Sequence, residues 1–545
     1  MLQSVSPKHD LPLKPEGQAA KPERTGTWAP FSIQAFRIIW ICNLFANLGT
    51  WAQSVAAAWV VTDAHASPLM VAMIQVAAAL PLVLLSILSG VIADNHDRRK
   101  IMLWGLSFEM TGAMFATLLA FLGYLDPVLL IISILWISLG GSVTIPAWQA
   151  AVNEQVPARM VSDAVLLNSV NYNVARAAGP ALGGLLLSAV GPAWVFLFNS
   201  FCYMALIWAI WQWRRDVPKR SLPPEGILEG VTAALRFTQY STVTRLVMMR
   251  SFAFGLSASA VWALLPLVAR QMLGGSSGFY GVLLGAVGAG AIIGALVMPK
   301  LGAKLNADGL VLLASVVSAV VMGVLVFAPP KWLAVLMLVL LGMGWITALT
   351  TFNGVAQAIL PNWVRGRGLA VYLMVFNGAM AAGSLGWGLV AREIGVPYAL
   401  VVSAVGLVAV ALLFHRARLP VGEADLQASN HWPEPLVSAP VANDRGPVLI
   451  QVEYRVRQAD RPAFLEAMQR LSQERLRDGA YAWGVVEHTG DPERVMEWFF
   501  VESWAEHLRQ HHRVSHADAD LQAEALRFHI GPDKPEVHHF LALKR

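Results

Sequence analysis

The sequence is poor in charge and in cysteine. Charged residues make up 14% of its 545 residues, against about 25% in a typical soluble domain. Its two cysteines, Cys42 and Cys202, show neither metal-ligand spacing nor a disulfide framework. The nucleotide loop G-x-x-x-x-G-K-[ST] is absent, which disfavours an ATP-driven pump. Basic residues form no patch interleaved with aromatics, so we expect no nucleic-acid partner, and we predict no cofactor or metal.

The sequence is rich in long apolar runs. The composition is 56% hydrophobic, with a mean hydropathy of +0.54. A helix needs about 20 apolar residues to cross a bilayer, and these runs are too continuous for barrel strands. They predict an all-α polytopic membrane protein embedded in the lipid bilayer. We count twelve runs of spanning length, at about 38–61, 69–92, 101–122, 128–148, 164–189, 193–213, 246–269, 279–300, 308–328, 332–352, 368–391 and 397–415.

The distribution of Lys and Arg predicts the orientation. Most basic loop residues follow even-numbered runs, and only Arg270, Lys331 and Arg392 follow odd-numbered ones. Cytoplasmic loops carry the excess of Lys and Arg. Both termini are therefore expected in the cytoplasm.

The chain contains an internal repeat at an offset of 204 positions. Gly179 aligns with Gly383, and Gly184 aligns with Gly388. Such a repeat predicts two six-helix halves with a binding site between them. The predicted organisation is a disordered leader (1–30), a first half (31–213), a central loop (214–245), a second half (246–418), a linker (419–446) and a C-terminal domain (447–545).

The loop after the second run reads "GVIADNHDRRK". It resembles the G-x-x-x-D-x-x-G-R-R/K signature of the major facilitator superfamily, matched by Gly90, Asp94, Arg98 and Arg99, with Asp97 where the family has glycine. The resemblance implies the major facilitator fold and a gating role for these residues. Asp94 is expected to act as a latch on the N-terminus of the eleventh span, where a carboxylate gains about 0.3–1 kcal/mol.

A second motif lies in the fifth run. The segment "GPALGG" resembles the G-P-x-x-G-G motif of the superfamily's exporters. Glycines let another helix approach closely, and proline bends the helix. The resemblance implies a helix that seals the path toward the cytoplasm, with ordinary helix packing as the alternative. The motif residues are Gly179, Pro180, Gly183 and Gly184.

Longer stretches narrow the resemblance. The segments "FRIIWICNLFANLGTWAQSVAAAWVV" and "NSVNYNVARAAGPALGG" resemble the enterobactin-exporter branch of the superfamily, over residues 28–418. This branch exports catecholate siderophores from the bacterial cytoplasm and is taken to be proton-coupled, while other relatives are drug efflux proteins. The resemblance implies a secondary exporter of a small amphipathic molecule in the bacterial inner membrane, with protons as the coupling ion.

Polar residues within the runs are candidates for the transport path. Glu109 and Arg176 are the proton-coupling candidates, because a charge at depth costs at least about 2.5 kcal/mol and normally faces a cavity or a partner. Asp63 at the outer end of the first run is explained by ordinary solvation. The substrate-path candidates are Asn47, Trp51, Asn173 and Asn377; interhelical hydrogen bonding is the alternative for the asparagines.

The last hundred residues differ in kind. Alternating strand patterns and two helical segments, the second at about 505–528, predict the order β-α-β-β-α-β of a small ferredoxin-like α+β domain. This segment resembles dimeric α/β-barrel domains related to antibiotic-biosynthesis monooxygenases. Its histidines follow a helical pattern typical of a solvated face, which favours no metal or catalytic role; they are His507, His511, His512 and His516.

We therefore predict a cytoplasmic domain that serves dimerisation or regulation, forming a homodimer in the first case. In the alternative, the C-terminal domain is primary. It would then be a membrane-tethered oxygenase or ligand-sensing module for which the membrane part supplies or removes substrate.

Overall fold

The computed structural model describes residues 26–214, 227–361, 363–414, 417–419, 437 and 440–543. Within these ranges the side chains of residues 87, 91, 94, 95, 158, 227–230, 512 and 517 are left undescribed. The predicted leader (1–30) and linker (419–446) therefore lie mostly outside the described residues.

The membrane part of the described chain is a bundle of long helices. Its eighth helix, Thr242–Leu267, continues as a π-helical turn, Val268–Met272. The helices of the first half are α1 Gln34–Asp63, α2 Pro68–Asn95, α3 Arg98–Phe121, α4 Pro127–Gln155, α5 Val161–Val190 and α6 Pro192–Gln212. They are followed by α7 Ile227–Tyr240, α8 Thr242–Leu267, α9 Ser277–Gly302, α10 Ala307–Val326, α11 Lys331–Ala358, α12 Arg365–Ile394 and α13 Val396–Leu413.

Ten of the described helices are long and apolar enough to cross a membrane, judged by length and composition. Of the twelve predicted spans, α1 and α5 are the two outside this set. Both have 30 residues, long enough to cross, but they carry the in-span asparagines and Arg176, which lower their hydropathy. Helix α1 packs on α5 and α6, and α5 packs also on α9, so a part of their polar surface contacts other helices.

The helices pack as two halves. In the first half α1 packs on α5 and α6, and α3 packs on α4 and α6. In the second half α8 packs on α12 and α13, and α11 packs on α9 and α10. Two extensive contacts join the halves: α2 packs against α12, and α5 packs against α9.

The repeat is visible in the helix boundaries. The bounds of α5 and α12 differ by the 204-residue offset at both ends, and each helix ends at a glycine, Gly191 or Gly395. Both glycines have positive φ, 86° and 88°, a conformation that other residues adopt only with strain. Each reverses the chain into the next helix, so the same turn recurs in both halves.

The central loop differs from the prediction of a long polar connection. Its second part is the helix α7, which contains the buried Ala234 and Phe237. A short amphipathic segment inside a charged loop escapes a search for membrane-length runs, because its apolar face is only a few residues long.

The C-terminal domain is a four-stranded antiparallel sheet with helices. Its elements are β1 Val448–Arg455, α14 Arg461–Asp478, β2 Ala482–His488, β3 Asp491–Val501, α15 Trp504–Arg513, α16 His516–Leu526 and β4 Glu536–Leu541. The strand order is β2-β3-β1-β4, with Ile450 of β1 opposite Phe499 of β3 and His539 of β4. This antiparallel sheet fits the predicted small α+β domain.

The predicted helix at 505–528 is in fact two helices. Ser515 ends the continuity between α15 and α16, because its side chain accepts a hydrogen bond from the backbone N–H of Asp518 while the Asp518 carboxylate accepts one in return. This reciprocal capping box starts a new helix. Helical periodicity continues across such a cap, which is why the pattern alone indicated one helix.

The C-terminal domain contacts one end of the bundle. Arg236 of α7 donates to the carbonyl of Gly479 at 2.7 Å, and the guanidinium of Arg513 lies 4.4 Å from the ring centroid of Trp363. Trp363 lies in the loop between α11 and α12. We call this the tail-side end, and the opposite end, where α1 ends at Asp63 and α2 begins at Pro68, the far end.

Candidate functional site between the two halves

The glycines of the fifth helix bring it into close contact with α1. A Cβ added at Gly179 would lie 2.6 Å from Cβ of Trp51, and one added at Gly183 would lie 2.9 Å from the carbonyl oxygen of Ala52. Both glycines are buried. Any larger side chain would separate α5 from α1, so these two positions require glycine for packing.

The last glycine of the motif faces the other half. A Cβ at Gly184 would lie 2.8 Å from Cα of Gly281 in α9, and a Cβ at Gly281 would lie 2.8 Å from the carbonyl oxygen of Pro180. The motif therefore packs in two directions at once. Gly179 and Gly183 face α1 of the same half, whereas Gly184 and Pro180 face α9 across the interface.

The matching helix of the second half repeats this arrangement with different residues. A Cβ at Gly388 of α12 would lie 2.6 Å from Cβ of Ala72 in α2. The position that matches Gly183 is occupied by Trp387, whose indole N–H donates to the carbonyl of Leu256 in α8 at 2.8 Å. Contact across the interface is thus preserved. Contact within the half is preserved at Gly383, where a Cβ would lie 2.4 Å from the carbonyl oxygen of Leu256, and it differs at Trp387.

An ion pair joins the halves at the far end. Asp63 at the end of α1 lies 2.9 Å from Arg270 of the π-helical turn, with 62% and 24% of their side chains exposed. Arg270 also donates to the carbonyl of Thr62 at 2.5 Å. Solvation of Asp63 was the expected explanation, and the structure adds a partner. Arg270 could have been singled out as one of the few basic residues on the predicted outer side.

Two arginines of the signature loop, residues 90–100, hold the first half together at the tail-side end. Arg98 donates to Glu154 of α4 at 2.8 Å and to the carbonyl of Ala150 at 3.0 Å. Arg99 donates to the carbonyls of Ile210 (3.1 Å) and Trp211 at the end of α6. A cation at a helix C-terminus is electrostatically favourable, so these contacts fix α3 against α4 and α6.

The remaining signature residues lie at the end of α2 and in the turn after it. Asp97, which departs from the family's glycine, caps α3 by accepting from the N–H groups of Arg99 (3.0 Å) and Lys100 (3.4 Å). Its φ is −66°, which needs no glycine. Gly90 lies in the last turns of α2, and the side chain of Asp94 lies outside the described residues.

Glu109 is buried among three helices of the first half. It is 8% exposed, and its carboxyl group interacts with the hydroxyl groups of Thr144 in α4 and Tyr203 in α6. Its Oε1 atom is buried without a hydrogen-bond partner. Gly140 gives it room, because a Cβ there would lie 2.6 Å from Cγ of Glu109. The site is internal to one half.

Arg176 lies elsewhere, on the part of α5 that faces α9. A Cβ at Gly288 would lie 3.1 Å from the carbonyl oxygen of Arg176. Among the described ion pairs there is none between Arg176 and Glu109. The structure therefore separates the two residues, one within a half and the other between the halves.

The predicted substrate-path residues fall into two groups, those that contact another helix and those that bond within their own helix. Asn47 donates to Asn171 at 3.1 Å, joining α1 to α5, and Trp51 packs over Gly179. Asn173 and Asn377 each donate to a carbonyl one turn earlier in their own helices, at 2.8 Å. The first two residues thus hold α1 and α5 together, as the interhelical alternative anticipates.

The histidines of the C-terminal domain do not all follow the predicted solvated face. His507 is 1% exposed, whereas His516 is exposed and the side chain of His512 lies outside the described residues. His507 meets His511 and His539, a residue that the helical pattern did not include. Burial, together with these two imidazoles, lowers the pKa of His507 to about 3.

Two packed halves of membrane-length helices, close glycine contacts across their interface and a small α+β domain describe a multi-pass membrane protein. Comparisons with known proteins identify the family. The family described as "Transmembrane secretion effector" matches residues 25–545, including the C-terminal domain. The chain belongs to this family of major facilitator superfamily transporters, whose members in bacteria are integral inner-membrane proteins.

Its relatives are transporters. It is 22% identical over 393 residues to the staphyloferrin A transporter of Staphylococcus aureus, covering 70% of this chain and 96% of that one. It is 30% identical over 333 residues to the enterobactin exporter EntS of Salmonella typhimurium, covering 59% and 78%. It is 25% identical over 359 residues to the multidrug efflux pump Tap of Mycolicibacterium fortuitum, covering 64% and 86%.

Solved structures share the fold. The nucleoside transporter NupG superposes with a TM-score of 0.58 at 12% identity, covering 70% of this chain and 98% of that one. A bacterial homolog of the lysosomal transporter Spinster gives 0.57 at 15% identity, covering 71% and 97%. Both superpositions span about the length of the membrane part.

Proposed function

We propose that this protein exports a small amphipathic molecule, of the siderophore or drug type, from the bacterial cytoplasm by alternating access coupled to protons. The observation that carries the proposal is the packing of α5, whose Gly183 meets α1 while Gly184 meets α9. A helix packed closely on α1 can move as a unit with its half, and its contact with α9 is the one that must separate when the halves move. The siderophore and drug relatives support the substrate class.

Alternating access requires contacts that can be exchanged. At the far end the halves are joined by Asp63 and Arg270 and by the close approach of Gly184 to Gly281. An exposed ion pair contributes about 0–1 kcal/mol, weak enough to open. At the tail-side end we propose that Asp94 latches onto the N-terminus of α12 in the opposite state.

Proton coupling is assigned to Glu109. It is buried, its Oε1 atom has no hydrogen-bond partner, and it lies between helices of one half, where a change of charge alters how α3, α4 and α6 pack. An uncompensated charge at this depth is costly. Binding a proton would therefore favour one arrangement of the half and losing it would favour another. Arg176 lies at the interface between the halves, and we propose that the change in packing of the first half alters its surroundings.

The test uses purified protein in vesicles with an imposed pH gradient and a catecholate siderophore as substrate. We expect Glu109→Gln to abolish concentration of the siderophore against its gradient while leaving exchange down the gradient. The matched control is Asp126→Asn, because Asp126 caps α4 by accepting from Val128 at 2.8 Å and asparagine caps equally well. Uphill transport by Glu109→Gln at the wild-type rate would remove Glu109 from the mechanism.

The C-terminal domain is proposed to regulate transport or to dimerise the protein, in line with its resemblance to dimeric α/β-barrel domains. Its contacts with α7 and with the loop before α12 support the regulatory alternative. Deleting residues 446–545 and measuring efflux tests whether the domain is essential. If the deletion variant transports normally but no longer forms an oxygenase product that the full-length protein forms, the tethered-enzyme alternative is favoured.

A further inference from the structure

Three histidines meet in the C-terminal domain. His507 and His511 lie one turn apart on α15, and His539 lies on the neighbouring strand β4. Each offers a ring nitrogen, and these nitrogens lie within 4.8 Å of one another. Residues four apart on a helix share a face, so the helix presents two imidazoles side by side to the third.

The spacing of the rings matches that of ligands around one ion. Nε2 of His507 lies 3.2 Å from Nε2 of His511. Zinc binds imidazole nitrogen at about 2.0–2.1 Å in tetrahedral geometry, which leaves neighbouring ligand nitrogens about 3.3 Å apart. The rings of His507 and His539 have centroids 4.7 Å apart. The three imidazoles thus come within reach of a single ion.

Burial adds to this geometry. His507 is 1% exposed and so is Gln510 on the same helix, and the Gln510 side chain interacts with the His507 ring. A metal-binding imidazole is usually oriented by a second group at its other ring nitrogen, and Gln510 is placed to serve His507 in this way. Trp504 covers one side of the cluster, with its ring 5.4 Å from His507 and 6.2 Å from His539.

We propose that His507, His511 and His539 bind a divalent transition-metal ion of the zinc type. Three imidazoles suit zinc, cobalt, nickel or copper and not magnesium or calcium, which prefer oxygen ligands. The half-exposed sides of His511 and His539 leave a fourth position for water or another small ligand, as in open zinc sites.

The position of the site connects it to the membrane part. The helix that carries His507 and His511 ends at Arg513, whose guanidinium covers Trp363 in the loop before α12. Arg513 also pairs with Glu506 of α15 at 2.5 Å. An ion that fixes α15 would therefore also fix the residue that contacts the bundle.

The experiment measures cobalt binding to the full-length detergent-purified protein, prepared without a histidine tag. We expect about one cobalt ion per chain, with the visible absorption of a tetrahedral or five-coordinate site, displaced by zinc. The double variant His511→Ala/His539→Ala removes the two half-buried ligands and is expected to lose this absorption. His507 is left intact, so that the buried core is kept.

The matched control is the double variant His516→Ala/His538→Ala. His516 follows the same helical segment and His538 adjoins His539, yet both are exposed and lie outside the cluster. It is expected to bind cobalt like the wild type. Thermal unfolding without metal checks that both double variants remain folded. No cobalt binding by the wild type at micromolar concentration, or equal losses in the two double variants, would overturn the proposal.

Discussion

The fifth and twelfth helices are repeats of one another, and they differ in a residue that packs against the neighbouring helix. Both have 30 residues and end at a glycine of positive φ. In α5, Gly183 lets the helix backbone approach Ala52. In α12 the matching residue is Trp387, which contacts Leu256, the residue that matches Ala52, through an indole hydrogen bond.

The contact one turn earlier is the same in both halves. A Cβ at Gly383 of α12 would lie 2.4 Å from the carbonyl oxygen of Leu256, just as one at Gly179 of α5 would lie 2.6 Å from Cβ of Trp51. At the interface the halves differ again, because Gly184 meets the backbone of α9 whereas the atom nearest to Gly388 is a side-chain carbon of α2. We therefore infer that changes at these two matched interface positions have unequal effects.

The largest effect is expected for Gly184→Leu. The atoms nearest to an added Cβ are the backbone of Gly281 and Ser277, at 2.8–3.1 Å, and backbone cannot move aside without shifting α9. Overpacking of this kind costs about 3 kcal/mol, and we expect export to fall to background. The measurement is siderophore efflux at matched membrane levels. Gly386→Leu is the control, since a Cβ there meets nothing within 4 Å.

A smaller effect is expected for Gly388→Ala, the matched position in the second half. The nearest atom is the Cβ of Ala72 at 2.6 Å, and the Cα of Leu69 follows at 3.1 Å, so the main obstacle is a side chain that can be removed. We expect a partial export defect that Ala72→Gly largely restores. Failure of this rescue, or a defect as severe as that of Gly184→Leu, would contradict the inferred asymmetry between the halves.

A still smaller effect is expected at the far-end ion pair. Asp63→Asn removes the charge that holds Arg270, and an exposed pair contributes at most about 1 kcal/mol, or about fivefold in an equilibrium. We expect the far end to open more often, measured as faster labelling of a cysteine introduced beside Tyr280. The charge exchange Asp63→Arg/Arg270→Asp should slow the labelling again, and unchanged labelling in Asp63→Asn would show that the pair does not hold the halves.

The smallest effect is expected for Arg513→Lys. Lysine keeps the positive charge and loses the planar group that covers Trp363, so only a part of a cation–π contact worth about 0.5–2 kcal/mol is lost. We expect faster hydrogen exchange in α7, in the loop before α12 and in α15, where Arg513 also pairs with Glu506, with the strands of the C-terminal domain unchanged. Equal acceleration throughout the domain would mean that Arg513 serves its folding instead.

The sequence by itself determined the parts of this protein that depend on local pattern. Apolar runs of about 20 residues predict membrane helices wherever they occur, and the offset of 204 aligned α5 with α12 to the residue. Alternation and turn residues gave the order of the C-terminal strands. The glycine motif was also legible, because glycine and proline are costly in a helix unless another helix approaches closely.

Only the tertiary structure decided which residues meet. Glu109 and Arg176 stand out equally in the sequence, yet one faces α4 and α6 and the other lies at the interface with α9. Asp63 pairs with Arg270 across the interface, and His539, on a strand distant in sequence, contacts His507. These contacts depend on how helices and strands are placed in three dimensions, and hydrophobic periodicity, which records only one face of one element at a time, carries no information about the partner.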